Sequence, residues 1–230
     1  MTLDRAACPP HALFLDLDGT LVDSRLDIAA SCNAALVAHG FPPIEPPARI
    51  AEMVGDGARA LVARALAAGR AGVTGEVIDA VLRAFEAHYA AHPCVHTVVL
   101  PGASDVLACG VPCAVLTNKP RSVATLVLEQ LDLAPHLAAV WAADGRLKPA
   151  PDGVLALAAT LGVDPRAVWV IGDGPQDVGA GKAAGAFTVA VHGIASWDAV
   201  LAARPDAVAG SLGEVAAMVR SAGVPLSRVT

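Results

Sequence analysis

Aromatic residues are scarce, only 3% of the 230 positions, which argues against a stacking surface for single-stranded nucleic acid. Basic residues are outnumbered, 16 Lys and Arg against 22 Asp and Glu, and no Lys/Arg run occurs. Nucleic acid and anionic membranes are therefore poor partners. No stretch approaches the roughly 18 uncharged apolar residues that a membrane span needs, and Met1 to His11 lacks the basic-then-apolar order of a signal peptide. The five cysteines, Cys8, Cys32, Cys94, Cys109 and Cys113, are odd in number and show no C-x-x-C spacing. A reduced, cytoplasmic chain, monomer or homodimer, fits this better than a disulfide framework.

Apolar residues are plentiful at 55%, mostly Ala, Val and Leu, enough for a full core in one large domain or in a core domain carrying a smaller one. One apolar run, Leu13-Phe14-Leu15, ends abruptly in Asp16-Leu17-Asp18-Gly19-Thr20. Acids at i and i+2 on an extended chain project to one side. Crowded there they repel, and a buried carboxylate is costly unless paired or bound to a cation. A hard divalent ion such as Mg²⁺ relieves this, since it takes oxygen ligands and uses one or two carboxylates beside phosphate and water. A lone D-x-D-G also closes ordinary strands as a surface turn, so the flanks must decide.

After a first strand near Ala12 to Leu17, Ser24 is a candidate N-cap for a helix from Arg25 to His39 closed by Gly40. Helical patterns follow near Ala48 to Met53, Ala58 to Ala68 and Glu76 to Ala91, with no strand pattern between Ser24 and His96. From Leu100 strands and helices alternate. Strands are expected at Val111 to Leu116, Ala138 to Ala142, Ala167 to Ile171 and Phe187 to Val191. Helices are expected near Ser104 to Cys109, Arg121 to Leu131, Val154 to Leu161 and Gln176 to Ala184, and a last one is capped by Ser211. Such a pattern predicts an α/β fold, a Rossmann-like parallel sheet covered on both faces with its ligand site at the carboxyl ends of the strands. The early helices read as an inserted all-helical cap, residues 23–97, over a core of residues 1–22 and 98–230.

The residues that follow the strands are polar and chemically coherent. Beside Asp16 and Asp18 they are Thr117-Asn118-Lys119-Pro120, Arg146-Leu147-Lys148-Pro149 and Gly172-Asp173-Gly174-Pro175-Gln176-Asp177. With these residues the chain resembles the haloacid dehalogenase superfamily of aspartate-nucleophile phosphotransferases, and within it the bacterial phosphoglycolate phosphatases. The resemblance spans nearly the whole chain, with all four motifs in order. It departs at Gly174, where that group usually has Ser, and at Val98-Val99-Leu100, which replaces a more aromatic approach to Pro101-Gly102.

The resemblance implies a Mg²⁺-dependent phosphatase acting on a small phosphorylated substrate, 2-phosphoglycolate first, through an aspartyl-phosphate. Asp16 is then the nucleophile and Asp18 the acid and base, with the Asp18 backbone carbonyl, not its carboxylate, reaching the metal. Asp173 completes the metal site with Asp16, although G-D before a helix is also an N-cap pattern. Asp177 orients metal waters or Lys148, or serves only as a first-turn acid. Lys148 is catalytic as a point charge beside Asp16 and the phosphoryl group. Thr117 and Asn118 bind the phosphate, though Thr-Asn also ends strands as turn chemistry. In the cap, Gly55, Asp56, Gly57 and Arg64 are candidates for specificity, with Arg64 pairing a substrate carboxylate. Arg59 and Arg64 equally fit solvated helix charges.

Rival readings are a phosphatase for another small ester or pyrophosphate, a phosphohexose mutase, a phospho-Asp receiver module and an inactive scaffold. Outside the family pattern, His88, His92, Cys94 and His96 lie close in sequence; cap-hinge residues are favoured over a zinc site because no matching second pair is apparent.

Overall fold

The computed structural model describes residues 9–69, 72–142, 146–193 and 195–223; Cys8 and the first eight residues of the Met1 to His11 stretch lie outside them. Continuous apolar runs become buried strands. β1 (Ala12–Leu15), β4 (Cys113–Leu116), β6 (Val168–Gly172) and β7 (Phe187–Val191) are buried at every position, as strands covered on both faces must be. With β5 (Ala139–Trp141) and β8 (Ala207–Ala209) they form a six-stranded sheet in the order β5-β4-β1-β6-β7-β8, parallel at every pairing.

Helices α5 (Ala103–Leu107), α6 (Arg121–Gln130), α7 (Asp152–Leu161), α8 (Pro175–Ala184), α9 (Trp197–Ala202) and α10 (Leu212–Ser221) alternate with these strands. β1 lies between β4 and β6, so the strand order reverses at β1 and a crevice opens at its carboxyl end. Leu15 is in register with Val115 on one side and Ile171 on the other, which brings the residues that follow all three strands to one edge.

The early block is helical, as its periodicity indicates: α1 (Arg25–Ala38), α2 (Ala48–Ala51), α3 (Ala58–Gly69) and α4 (Gly75–Ala91). On α4 the residues Val81, Phe85 and Tyr89 recur every four positions and form its buried stripe. The chain enters and leaves this block through a short antiparallel ribbon, β2 (Val22–Asp23) paired with β3 (Val98–Val99). Asp27, buried on α1, accepts from the backbone N–H groups of His96 and Thr97 and from the Thr97 hydroxyl, fastening the returning segment to the first helix of the block.

Some boundaries move. The second large strand begins at Cys113 rather than Val111, because Gly110 turns with φ +88° and Pro112 still belongs to the approach. Ser211 does cap the last helix, accepting from Glu214 N. Ser24 precedes α1 but makes no side-chain cap; its hydroxyl goes to Asp18. The ribbon, α9 and β8 are too short for a periodicity signal to show in the sequence.

Candidate active site

The turn after β1 is built by backbone hydrogen bonds. Leu17 O accepts from Leu21 N and Val22 N, both at 3.0 Å, and Gly19 N donates to Val22 O at 2.8 Å. Gly19 has φ +88°, a conformation that favours glycine, and a Cβ there would overlap the Asp173 carboxylate. The extended geometry assumed for Asp16 and Asp18 is therefore corrected. The strand ends at Leu15, both acids sit in the turn, and their carboxylates go to different partners.

Asp16, Asp173 and Asp177 are buried and bring carboxylate oxygens within 4.8 Å of one another. Lys148, equally buried, sits among them with Nζ 2.8 Å from Asp16 Oδ1 and 2.6 Å from Asp177 Oδ1, and it also donates to Leu116 O at 2.8 Å. Burial pushes the Asp16 carboxyl up to about 7; Lys148 pulls against this while Asp177 adds to it. Burial likewise raises Asp177, again opposed by Lys148. Burial disfavours the Lys148 ammonium, yet Asp16 and Asp177 together hold it above its ordinary value.

With all three carboxylates ionised, the one ammonium leaves two excess negative charges in a buried site, and burial opposes that state. A divalent cation answers that imbalance, and the donors are hard oxygens of the kind Mg²⁺ takes. Space is kept for the Asp173 carboxylate by Gly19 and Gly193, where a Cβ would overlap it. Thr20 Oγ1 and Ala195 N donate to the same carboxylate at 3.5 and 3.2 Å. Asp177 belongs to this cluster geometrically, while its other oxygen accepts from Gly174 N at 3.0 Å. Asp18 turns its carboxylate away from the cluster, accepting from Lys119 Nζ at 2.8 Å and from Ser24 Oγ at 2.5 Å.

Above these strand ends lies a cleft between the sheet edge and α1, α3 and α4. Its floor carries Asp16, Asp18, Thr117 and Lys119, and its roof Leu61, Phe85 and Tyr89. Thr117 Oγ1 accepts from Lys119 N, which shapes the loop. Asn118 lines the cleft, but its side chain is committed as a clip. It donates to Gly55 O at 3.0 Å and to Lys148 O at 3.1 Å, and it accepts from Lys148 N at 2.8 Å. These bonds join the 54–57 turn to the Lys148 loop.

Gly55 and Gly57 also line the cleft, whereas Asp56 and Arg64 do not. Arg64 pairs with Asp56 and donates to Met53 O, with its side chain 45% exposed. Without a substrate, the guanidinium expected to meet a substrate carboxylate is paired within the helical block. Arg59 pairs with Asp79 on the surface.

Tyr89 is a site residue that sequence reasoning missed, and Lys119, named there among the strand-end residues, was given no role. Lys119 is buried, holds Asp18, and donates to the Tyr89 hydroxyl at 2.6 Å. The available signal was its place between a strand-ending Thr-Asn and a helix-starting Pro, in a chain with only three lysines. The histidine group does not assemble into a metal site. His88 bonds Ser31 and stacks on His92, and among the described residues Asp16, Asp173 and Asp177 are the only set of three potential ligands gathered at one point. Among those residues, too, no helix is long and apolar enough to cross a membrane.

The sequence pattern of the haloacid dehalogenase-like hydrolases matches residues 10–185. A phosphoglycolate phosphatase of Chromobacterium violaceum is 37% identical over 187 residues, covering 78% of this chain and 84% of that one. An N-acetylmuramic acid 6-phosphate phosphatase of Pseudomonas aeruginosa is 33% identical, covering 79% and 81%. Among solved structures, a haloacid dehalogenase-like family hydrolase from Streptococcus pneumoniae superposes with a TM-score of 0.79 at 22% identity, covering 92% and 98%. Four motifs converging on one crevice, and relatives matched over most of their length, place the chain in the haloacid dehalogenase-like hydrolase family, among its phosphatases.

Proposed function

We propose that the chain is a Mg²⁺-dependent phosphatase for small anionic phosphate monoesters, 2-phosphoglycolate first among them, and that it works through a phosphoryl group carried on Asp16. Residues 23–97 act as the cap that closes over the ester. The observation that carries this reading is Asp16 itself, a buried carboxylate 2.8 Å from Lys148 on the floor of the cleft. Both named relatives act, by their names, on acids that carry a carboxyl group as well as the phosphate.

Phosphate esters resist attack because their oxygens repel nucleophiles, so charge screening and positioning dominate catalysis. Asp16 Oδ forms a bond to phosphorus while the bond from phosphorus to the leaving oxygen breaks. Asp18 gives that oxygen its proton, then takes one from the water that attacks the phosphoryl group and releases the Asp16 carboxylate. Lys148 keeps Asp16 oriented and balances its charge. Asp16, Asp173 and the Asp18 carbonyl would hold Mg²⁺, with Asp177 behind them; when bound, the ion screens the phosphoryl oxygens.

Phosphate release from 2-phosphoglycolate, glycerol phosphates, hexose phosphates and pyrophosphate, each with Mg²⁺ or with EDTA, tests the reading. It requires EDTA-sensitive release, fastest from phosphoglycolate. Slow self-phosphorylation without ester turnover would support a receiver module instead. A second readout needs no substrate. Mg²⁺ at 100 times its dissociation constant stabilises by about 2.7 kcal/mol, which raises the unfolding midpoint by roughly 5–10 °C. Asp173→Asn should abolish that shift, and an equal shift in the variant would contradict the assigned site.

A further inference from the structure

In a chain with aromatics at only 3% of its positions and three tryptophans in all, a stacked pair of rings at the surface calls for a reason. His192, the first residue after β7, and Trp197, the first residue of α9, face each other with ring centroids 3.8 Å apart and planes 19° from parallel. Trp197 is half-buried and packs against the cluster of Val178, Ala190 and Val200, which anchors it to α8 and β7. His192 is exposed, so burial in a core does not account for its place. Its ring is held by the stack.

The stack closes the two ends of the segment that lies against the Asp173 carboxylate. Ala190 of β7 is in register with Gly172 of β6, so the chain leaving β7 passes beside Asp173. Gly193 is packed so closely there that a Cβ would overlap Asp173 Cβ and Gly19 O, and Ala195 N donates to Asp173 Oδ2 at 3.2 Å. That distance is at the long end of the range for such a bond, so the bond depends on the segment being held in place. We propose that the His192–Trp197 stack is a clasp that keeps the Ala195 N–H on Asp173, which makes both rings positioning residues for the divalent cation. They act through the loop, since the oxygens gathered at one point belong to Asp16, Asp173 and Asp177. A carboxylate that must present one orientation to a cation needs its own hydrogen bonds fixed. An aromatic pair at this spacing stabilises beyond the area it buries, and joining both ends of a short segment removes much of the freedom that the Ala195 bond would otherwise have to overcome.

This assignment rests on the Mg²⁺ site proposed above, and the test separates the two. Mg²⁺ binding is measured by calorimetry, without substrate, on wild type, His192→Ser, His192→Phe, Trp197→Leu and the double variant that combines His192→Ser with Trp197→Leu. His192→Ser and Trp197→Leu should each raise Kd for Mg²⁺ about 10-fold. His192→Phe, which can still stack, should stay within about 3-fold of wild type. The double variant should bind no more weakly than either single one, because the same contact is removed in all three. A phenyl ring cannot replace an imidazole that meets the cation itself, so equal losses in His192→Ser and His192→Phe would overturn the clasp. So would a Kd unchanged in every variant while the unfolding midpoint falls, the mark of a stack that serves only the fold. If Trp197→Leu does not fold, since Trp197 also packs on Val178 and Val200, the two variants of the exposed His192 decide. Wild type that binds no Mg²⁺ contradicts the metal site, and the clasp falls with it; wild-type binding that the variants share removes the clasp alone.

Discussion

Asp16→Asn should lower kcat for 2-phosphoglycolate by at least about 10⁴-fold, a loss of roughly 5.5 kcal/mol of transition-state stabilisation, while the protein stays folded. The substitution is nearly isosteric. The amide oxygen can still accept from Leu17 N, which donates to Asp16 Oδ1 at 2.7 Å, so the turn after β1 is kept. What disappears is the anionic oxygen that bonds to phosphorus, together with one of the two carboxylates paired with Lys148. Burial already disfavours the Asp16 charge, so the lost ion pair is offset by a lost desolvation cost. The unfolding midpoint should therefore move by less than about 3 °C. Steady-state kinetics and thermal unfolding on one preparation check both halves. A variant that keeps a tenth of the wild-type kcat would contradict Asp16 as the nucleophile.

Lys148→Met is expected to be the most destabilising single change at the site. Nζ is buried and bonded to Asp16, Asp177 and Leu116 O, so its removal leaves two buried carboxylates and a carbonyl without their partner. Breaking a buried pair from one side costs about 3–5 kcal/mol, because the remaining charge is uncompensated. For a chain of this size that corresponds to a midpoint lower by roughly 6–20 °C. The variant should also lose at least about 100-fold in kcat, as an oriented charge beside the phosphoryl group is removed. Because the penalty lies in the orphaned acids, Asp177→Asn in the same chain should restore part of the stability and none of the activity. Denaturant unfolding of the single and double variants measures this coupling. Strict additivity would mean that the acids do not depend on Lys148.

The parts of this architecture that were legible in the sequence are those with a strong local signature. The runs Val111 to Leu116, Ala167 to Ile171 and Phe187 to Val191 could be read as strands because no charged residue interrupts them, and the strands found there are buried at every position. Asp16 stood out because a carboxylate ending a buried strand is costly without a partner, Asp173, Asp177 and Lys148 through the motifs that resemble the family's, and the fold does bring the four together. Asn118 was legible as a site residue, but not as the clip from Gly55 O to the Lys148 backbone. That role depends on two loops 63 and 30 residues away in sequence.

Arg64 shows the converse difficulty. An arginine on a helix near the site has the right chemistry for a carboxylate, yet Asp56 is nearer and takes it. Lys119 was read as part of the motif after the second large strand but given no role, because an isolated lysine in a sequence is usually a solvated one. Only the arrival of Tyr89 from α4 and Asp18 from the β1 turn makes it a buried ion pair. β8, with three residues, and the two-residue strands of the ribbon carry too few positions for any alternation to register.

The central claim, a phosphoryl group carried on Asp16, is tested most directly by trapping that group. Wild-type protein mixed with Mg²⁺ and 2-phosphoglycolate, then quenched during turnover and reduced with borohydride, converts an aspartyl-phosphate to homoserine. Tryptic mass mapping then examines the peptide of residues 6–25, between Arg5 and Arg25, which contains Asp16, Asp18 and Asp23. Homoserine at position 16 and at neither of the other two is the expected result. Homoserine at position 18, or steady phosphate release with no reducible adduct, would contradict it.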